Sequence, residues 1–274
     1  MAALALIATV PADSGATGPH ALATPWTELH ASRVRLVAAP SKTSAGHYMA
    51  ALEMNLADGW KTYWRMPGDS GVPPSFDWAG SANLAAAKVL YPAPARMPEA
   101  GGTAIGYKSA VLLPIEITPT EPDKPITLKL SLEFGLCRDI CIPVSATFDL
   151  VIPPQPAGAL PANIAETLER VPRPAQSRRK TDPHLKRAYV STEGASPKLV
   201  IEATFPAGGT NADAFVEAPE GFYVPIPKRV SADRNVVTFA SELGRDLAQD
   251  LKGKPLIITL VSPAGSAEVR WTMP

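Results

Sequence analysis

Only two cysteines occur in 274 residues, which excludes a disulfide-dense scaffold and any four-cysteine zinc or iron–sulfur site. Charge is sparse and balanced: 26 Lys+Arg face 26 Asp+Glu, and charged residues make up 19% of the chain. No net basicity is present to drive nucleic-acid binding. Long apolar runs are missing as well. The ten residues Met1–Val10 are uninterrupted, but a bilayer needs about 20, so no transmembrane segment is expected in the mature chain. The four histidines, His20, His30, His47 and His184, show no spacing suited to a metal or a catalytic triad. Neither a phosphate-binding glycine loop nor a nucleophile elbow is found.

Proline and glycine are plentiful, at 30 and 19 residues. So many prolines interrupt long helices and favour short strands joined by turns. Hydrophobic residues reach 46%, an ordinary globular value, in a chain long enough for one large or two small domains. Met1–Val10 followed by Pro11 has the length of a secretory h-region, and Ala21-Leu22-Ala23 offers a small-x-small cleavage pattern, although a basic n-region is missing. Residues 1–23 are therefore expected to be a signal or disordered segment, and the mature chain to be exported.

Residues 24–152 alternate with period two. Val34 and Leu36, then Tyr48, Ala50, Leu52, Met54 and Leu56, then Ile126, Leu128, Leu130, Leu132 and Phe134 each mark a strand with one buried face. Turn-rich pieces separate them at Met66–Pro74 and Tyr91–Gly102. Residues 153–183 read as a Pro-rich, locally basic linker with one short helical candidate at Asn163–Arg170. It is either a solvated connector or a docking patch for an acidic partner or anionic lipid. Residues 184–274 alternate again at Lys198–Phe205, Asn235–Ala240, Pro255–Val261 and Ala267–Thr272, with a helical turn or two within Ser241–Leu251. The expected fold is all-β: two immunoglobulin-like β-sandwich modules joined by the linker.

The chemistry concentrates at Phe134-Gly-Leu-Cys137-Arg-Asp-Ile-Cys141-Ile-Pro143. Four steps of extended chain would separate the cysteine Cα atoms by about 13 Å, whereas a disulfide needs about 4.4–6.8 Å. The chain must fold back between them, which places the pair at the tip of a hairpin. Three readings compete. A static staple over so short a loop gains only about 2 kcal/mol. A redox-active pair at an accessible tip is of the kind that exchanges rather than persists; Arg138 favours a thiolate there and Asp139 opposes it. A Cu(I) site would draw on Cys137 and Cys141 with Met66 or Met97 as thioether ligands. Trp60, Tyr63, Trp64 and Trp78 either line the redox face or fill the core. Asp69 reads as a turn-former bonding its own backbone.

Asp58–Trp78, Tyr91–Met97, Gly106–Ile115 and Phe134–Val144 together resemble the periplasmic N-terminal region of DsbD-type thiol:disulfide interchange proteins, and within them the ScsB-like branch associated with copper tolerance. The resemblance covers the first module in order and is less specific over the second. It implies an immunoglobulin-like redox module in the periplasm that relays electrons by thiol–disulfide exchange without a bound cofactor. Carried over to this sequence, Cys141 forms the mixed disulfide with a partner and Cys137 resolves it. A cap loop at about Arg96–Gly106 shields the pair. Met97 and Ile105 are its apolar candidates and Tyr107 the nearest aromatic, while Trp60, Tyr63, Trp64 and Met66 are candidates for the redox face. The partners implied are thioredoxin-like periplasmic proteins and a separate membrane electron-transfer protein, because this sequence shows neither a transmembrane segment nor a thioredoxin-like C-x-x-C module. A redox-silent adaptor, and a piece of a longer protein, stay open beside the relay and the copper readings.

Overall fold

A computed structural model describes residues 22–42, 47–99, 101–154 and 158–274. The expected leader lies outside the described residues except for its last two positions. Leu22 and Ala23 run alongside a strand, where the Leu22 carbonyl accepts the Ala38 N–H at 2.7 Å and Ala23 bridges Val37.

Eleven strands build the first module. They are β1 (Thr27–Leu29), β2 (Ser32–Lys42), β3 (Tyr48–Leu56), β4 (Lys61–Gly68), β5 (Ser75–Asp77), β6 (Leu84–Val89), β7 (Ala95–Glu99), β8 (Gly102–Lys108), β9 (Ala110–Pro119), β10 (Ile126–Cys137) and β11 (Cys141–Ile152). One sheet has the order β1-β2-β3-β9-β6; the other has β11-β10-β4-β8-β7, with β5 added against β10. The inner faces of the two sheets meet in a core of Leu36, Leu52, Ile115, Leu128, Leu130, Leu132 and their neighbours. Period-two alternation carries β10 as far as Phe134. From there Gly135, Leu136 and Cys137 are buried on both faces, so something covers the outer side of the strand at its cysteine end.

The second module contains β12 (Arg173–Pro174), β13 (His184–Ser191), β14 (Lys198–Thr204), β15 (Asp213–Glu217), β16 (Lys228–Asp233), β17 (Val236–Glu242), β18 (Pro255–Ser262) and β19 (Gly265–Thr272). Its sheets, β12-β19-β18-β15 and β13-β14-β17-β16, enclose Phe205, Phe239, Ile258 and Leu260. Alternation on β15 has a particular effect. Ala214 and Val216 face this core, whereas Phe215 between them joins the core of the first module, 5.8 Å from the Trp64 ring. Around that contact Arg65 bonds Glu217 at 2.8 and 2.7 Å and Glu268 at 2.5 Å, and Arg96 bonds Asp213. The two sandwiches are therefore joined by a packed, ion-paired junction.

The stretch read as a linker carries its expected short helix, but that helix is packed rather than solvated. Helix α1 (Ala162–Leu168) docks on the outside of the first sheet, where Ile164 packs with Ala39, Met49 and Ala51. That docking explains why β3 is buried on both faces. Further on, Arg173–Pro174 pairs in parallel with β19, and Asp182, 1% exposed, accepts from Arg173 and from the Arg179 N–H. Within the basic run Arg173 pairs with Glu169 and Asp182, Arg179 with Glu169, and Arg187 with Glu202. Among the described residues no helix is long and apolar enough to cross a membrane.

A docked α1 makes Ile164→Ala a core truncation, expected to cost about 2–5 kcal/mol in urea unfolding. A solvated connector would leave the midpoint unmoved.

Candidate functional site

Strands β10 and β11 pair without a slip over twelve positions, from Ile126↔Ile152 to Cys137↔Cys141. The cysteines thus stand directly opposite each other at the end of the ladder. Opposed residues in an antiparallel pair have Cα atoms about 4.5–5.5 Å apart, which falls inside the disulfide range. Both are free thiols in the structure, and a bridge between them asks only for side-chain rotation. Arg138, Asp139 and Ile140 close the turn, with the Arg138 N–H donating to the Ile140 carbonyl at 3.3 Å. The two sulfurs differ in access: Cys137 is 5% exposed, while Cys141 is open to solvent.

Burial of Cys137 comes from a cover on the outer face of the sheet. Tyr63, Met97 and Ala104 pack with it in one cluster. The Tyr63 ring lies so close to two backbone segments that only glycine fits there. A Cβ at Gly71 would sit 2.4 Å from the ring, and one at Gly135 would sit 2.9 Å from it. Gly71 also has φ +126°, where an L side chain is strained. The Tyr63 hydroxyl reaches Cys141 Sγ at 2.9 Å. Burial, followed by the hydrogen bonds with Cys137 and Cys141, pushes the Tyr63 pKa far up, so the phenol stays protonated beside the sulfurs.

An ion pair completes this face. Lys61 is the register partner of Cys137 on β4, and its Nζ lies 2.7 Å from Glu99 Oε1. Ser70 Oγ donates to Glu99 Oε2 at 2.7 Å. Burial by itself would raise the Glu99 pKa. The bonds from Lys61, Ser70 and Cys137 outweigh it and hold the carboxyl below the ordinary value. Burial pushes the Cys137 thiol up; Cys141 and the Glu99 charge push in the same direction, while the Tyr63 hydroxyl opposes them. The result is a buried thiol held neutral beside an accessible one.

Strand parity decides which of the sequence candidates meet here. On β7, Met97 and Glu99 share the face that looks at Cys137. On β8, Ala104 occupies that face, and Gly106 leaves room for it, since a Cβ there would lie 3.0 Å from Met97 Cε. Ile105 and Tyr107 have the opposite parity and belong to the sandwich core, where the Tyr107 hydroxyl donates to the Pro92 carbonyl at 2.8 Å. Neither of them covers the sulfurs, and the expectation for both is corrected. Trp60 and Trp64 are core residues too. Trp60 approaches the tip only through the Arg138 guanidinium, 5.5 Å from its ring, and Trp64 faces Phe215 of the second module. Met66 packs at the edge of the core beside the module junction, so a thioether set of Met66 with Met97 around the thiols is not assembled. Asp69 is not a turn-former bonding its own backbone: its carboxylate accepts from the Thr103 N–H and the Tyr223 hydroxyl. Sequence reasoning missed Lys61 and Glu99. Each stands two residues from a recognised member of the cluster, Tyr63 and Met97, a spacing that becomes informative once Ala95–Glu99 is known to be a strand.

Residues 33–153 match the family described as thiol:disulfide interchange protein DsbD, N-terminal. The whole chain is similar in fold to the crystal structure of the N-terminal periplasmic domain of ScsB from Proteus mirabilis. The TM-score is 0.71 at 23% identity, over 92% of this chain and 98% of that one. No curated protein sequence matches the chain. At that coverage the likeness in fold takes in both sandwiches, and the family match is confined to the module that carries the thiols.

Glu99→Gln removes the carboxylate that opposes ionisation of Cys137 and leaves Lys61 unpaired beside it. Both changes favour the thiolate, so the Cys137 titration, read from thiolate absorbance in the reduced chain, moves to lower pH. An unmoved titration would place Glu99 outside electrostatic reach of the sulfur. Gly135→Ala forces a methyl group against the Tyr63 ring and is expected to cost about 1–3 kcal/mol of stability, measured by chemical denaturation.

Proposed function

We propose, from the match of residues 33–153 to the N-terminal domain of thiol:disulfide interchange protein DsbD, that this chain exchanges electrons with protein partners through Cys137 and Cys141. The observation that carries the reading is the unequal access of two opposed thiols: one sulfur can be reached, and the other waits behind it. Cys141, as thiolate, attacks a sulfur of the partner's disulfide. A mixed disulfide forms and the partner's second sulfur leaves as a thiolate. Cys137 then loses its proton and attacks Cys141 Sγ, closing the intramolecular bridge and releasing the partner's first sulfur. Two electrons pass to the partner, two protons go with them, and no cofactor takes part.

Presentation of Cys141 on an exposed turn rather than in a pocket suits a macromolecular partner. Thioredoxin-like proteins of the periplasm fit as recipients, with a separate membrane protein as the source of electrons, and the exported, periplasmic setting follows from the same reading. A second reading, Cu(I) bound by the thiols, has one observation in its favour, the packing of Met97 against Cys137. It asks for a Cu(I) stoichiometry near one that is lost in Met97→Leu.

Titration of the pair in glutathione or dithiothreitol buffers without metal is expected to give a reversible midpoint clearly above about −300 mV, the region of structural disulfides. Cys137→Ser should then accumulate a mixed disulfide through Cys141, and Cys141→Ser should accumulate none. A pair that resists reduction in these buffers would overturn the relay.

A further inference from the structure

The hairpin of β7 and β8 that covers Cys137 has a second face, and that face is occupied. Arg96, next to Met97 but of opposite parity, crosses into the second module. Its Nε donates to both Asp213 oxygens at 2.8 and 2.7 Å. Its Nη2 donates to Asp213 Oδ1 at 2.6 Å and to the Pro227 carbonyl at 2.6 Å. The tip of the hairpin is tied by another route. Asp69 accepts the Thr103 N–H at 2.8 Å through Oδ2 and the Tyr223 hydroxyl at 2.5 Å through Oδ1, and its own N–H donates to the Thr103 carbonyl at 3.0 Å. A Cβ at Gly102 would lie 2.8 Å from Asp69, so the carboxylate sits directly on the backbone it holds.

On the face toward Cys137 the hairpin is held by Glu99, bonded to Lys61 and Ser70, and by the packing of Met97 and Ala104. Among the described residues β7 ends its sheet and pairs with β8 alone, and the pairing of β8 with β4 is interrupted between Tyr63 and Gly68. An edge hairpin with an interrupted ladder has lower local stability than the strands inside its sheet, so fastenings on its other face add directly to what keeps it closed.

We infer that the second module is a brace for the cover over Cys137, fastening the Met97 hairpin at its base through Arg96–Asp213 and at its tip through Asp69–Tyr223. This rests on the exchange reading for its purpose, but not for its geometry. Arg96 and Asp69 are positioning residues: neither touches a sulfur, and each holds a backbone whose other face does. With the brace engaged, Met97 and Tyr63 keep Cys137 behind Cys141 and the order of attack is fixed. With it released, the hairpin opens and the second sulfur becomes reachable from outside.

The test uses the full reduced chain, pulse-labelled with iodoacetamide well below its unfolding temperature, with labelling at each cysteine read by peptide mass spectrometry. The variants are Asp213→Asn, Tyr223→Phe and the two combined. The ratio of Cys137 to Cys141 labelling is expected to rise several-fold in each single variant and about tenfold or more in the double. A folded double variant whose ratio stays within about twofold of the native chain overturns the brace. So does equal acceleration at both cysteines, which reports general loosening instead of release of one hairpin. Tyr223→Phe removes a single hydroxyl from a side chain that is 41% exposed, so at least this variant is expected to fold. The ratio does not depend on the redox midpoint: a pair that proves to be a structural staple defeats the exchange reading and leaves the labelling result standing, and the converse also holds.

Discussion

The site depends on one tight contact, the Tyr63 ring held between the backbones of Gly71 and Gly135. Any side chain at either glycine would collide with the ring. Because both are bare, the loop after β4 closes over one side of the ring and the cysteine hairpin lies against the other. The phenol then reaches Cys141, and Met97 has a floor to pack on. Loss of water around the ring keeps the phenol neutral, so it can donate to a sulfur without adding charge to the cluster. The inequality of the two thiols follows from this contact, since whatever lies under Tyr63 and Met97 is buried and whatever lies at their rim is not.

A second layer of organisation comes from strand parity used at a junction. β15 and β7 each send one set of residues into their own neighbourhood and the other set across. Phe215 leaves its module to join the core of the first, while Arg96 leaves the cysteine cover to meet Asp213. The junction mixes apolar packing with ion pairs that are only partly exposed, so it is neither a loose tether nor a uniform core. Helix α1 adds a third attachment by covering the outside of β3.

Much of this was legible in the sequence where period two is clean. Ile126 to Phe134 and Pro255 to Val261 read directly as strands, and the spacing of Cys137 and Cys141 required a reversal that the hairpin supplies. The family resemblance, matched over residues 33–153, was carried by motifs around the same hairpin. Legibility failed where proline density hid a strand. Ala95–Glu99 lies inside a Pro- and Gly-rich piece that reads as a turn, and without its parity Ile105 and Tyr107 look as suitable a cover as Met97. The same masking concealed Lys61 and Glu99, because an ion pair between strands distant in sequence has no local signature. Residues 153–183 misled in a different way. Their composition is that of a connector, but what they touch is fixed by Ala39, Met49, Ala51 and the edge of β19, none of them neighbours in sequence.

The turn that carries Cys141 is electrically quiet at its outermost point. Arg138 and Asp139 neutralise one another at 2.9 Å, and beside them stands an aliphatic residue, Ile140, 67% exposed. The tip itself therefore carries no net charge. Under the exchange reading proposed above, the tip adds no electrostatic steering of its own, and the salt dependence of encounter comes from the surface around it. On that same reading, selection among partners falls to short-range contact, with one exposed aliphatic side chain at the tip for them to bury.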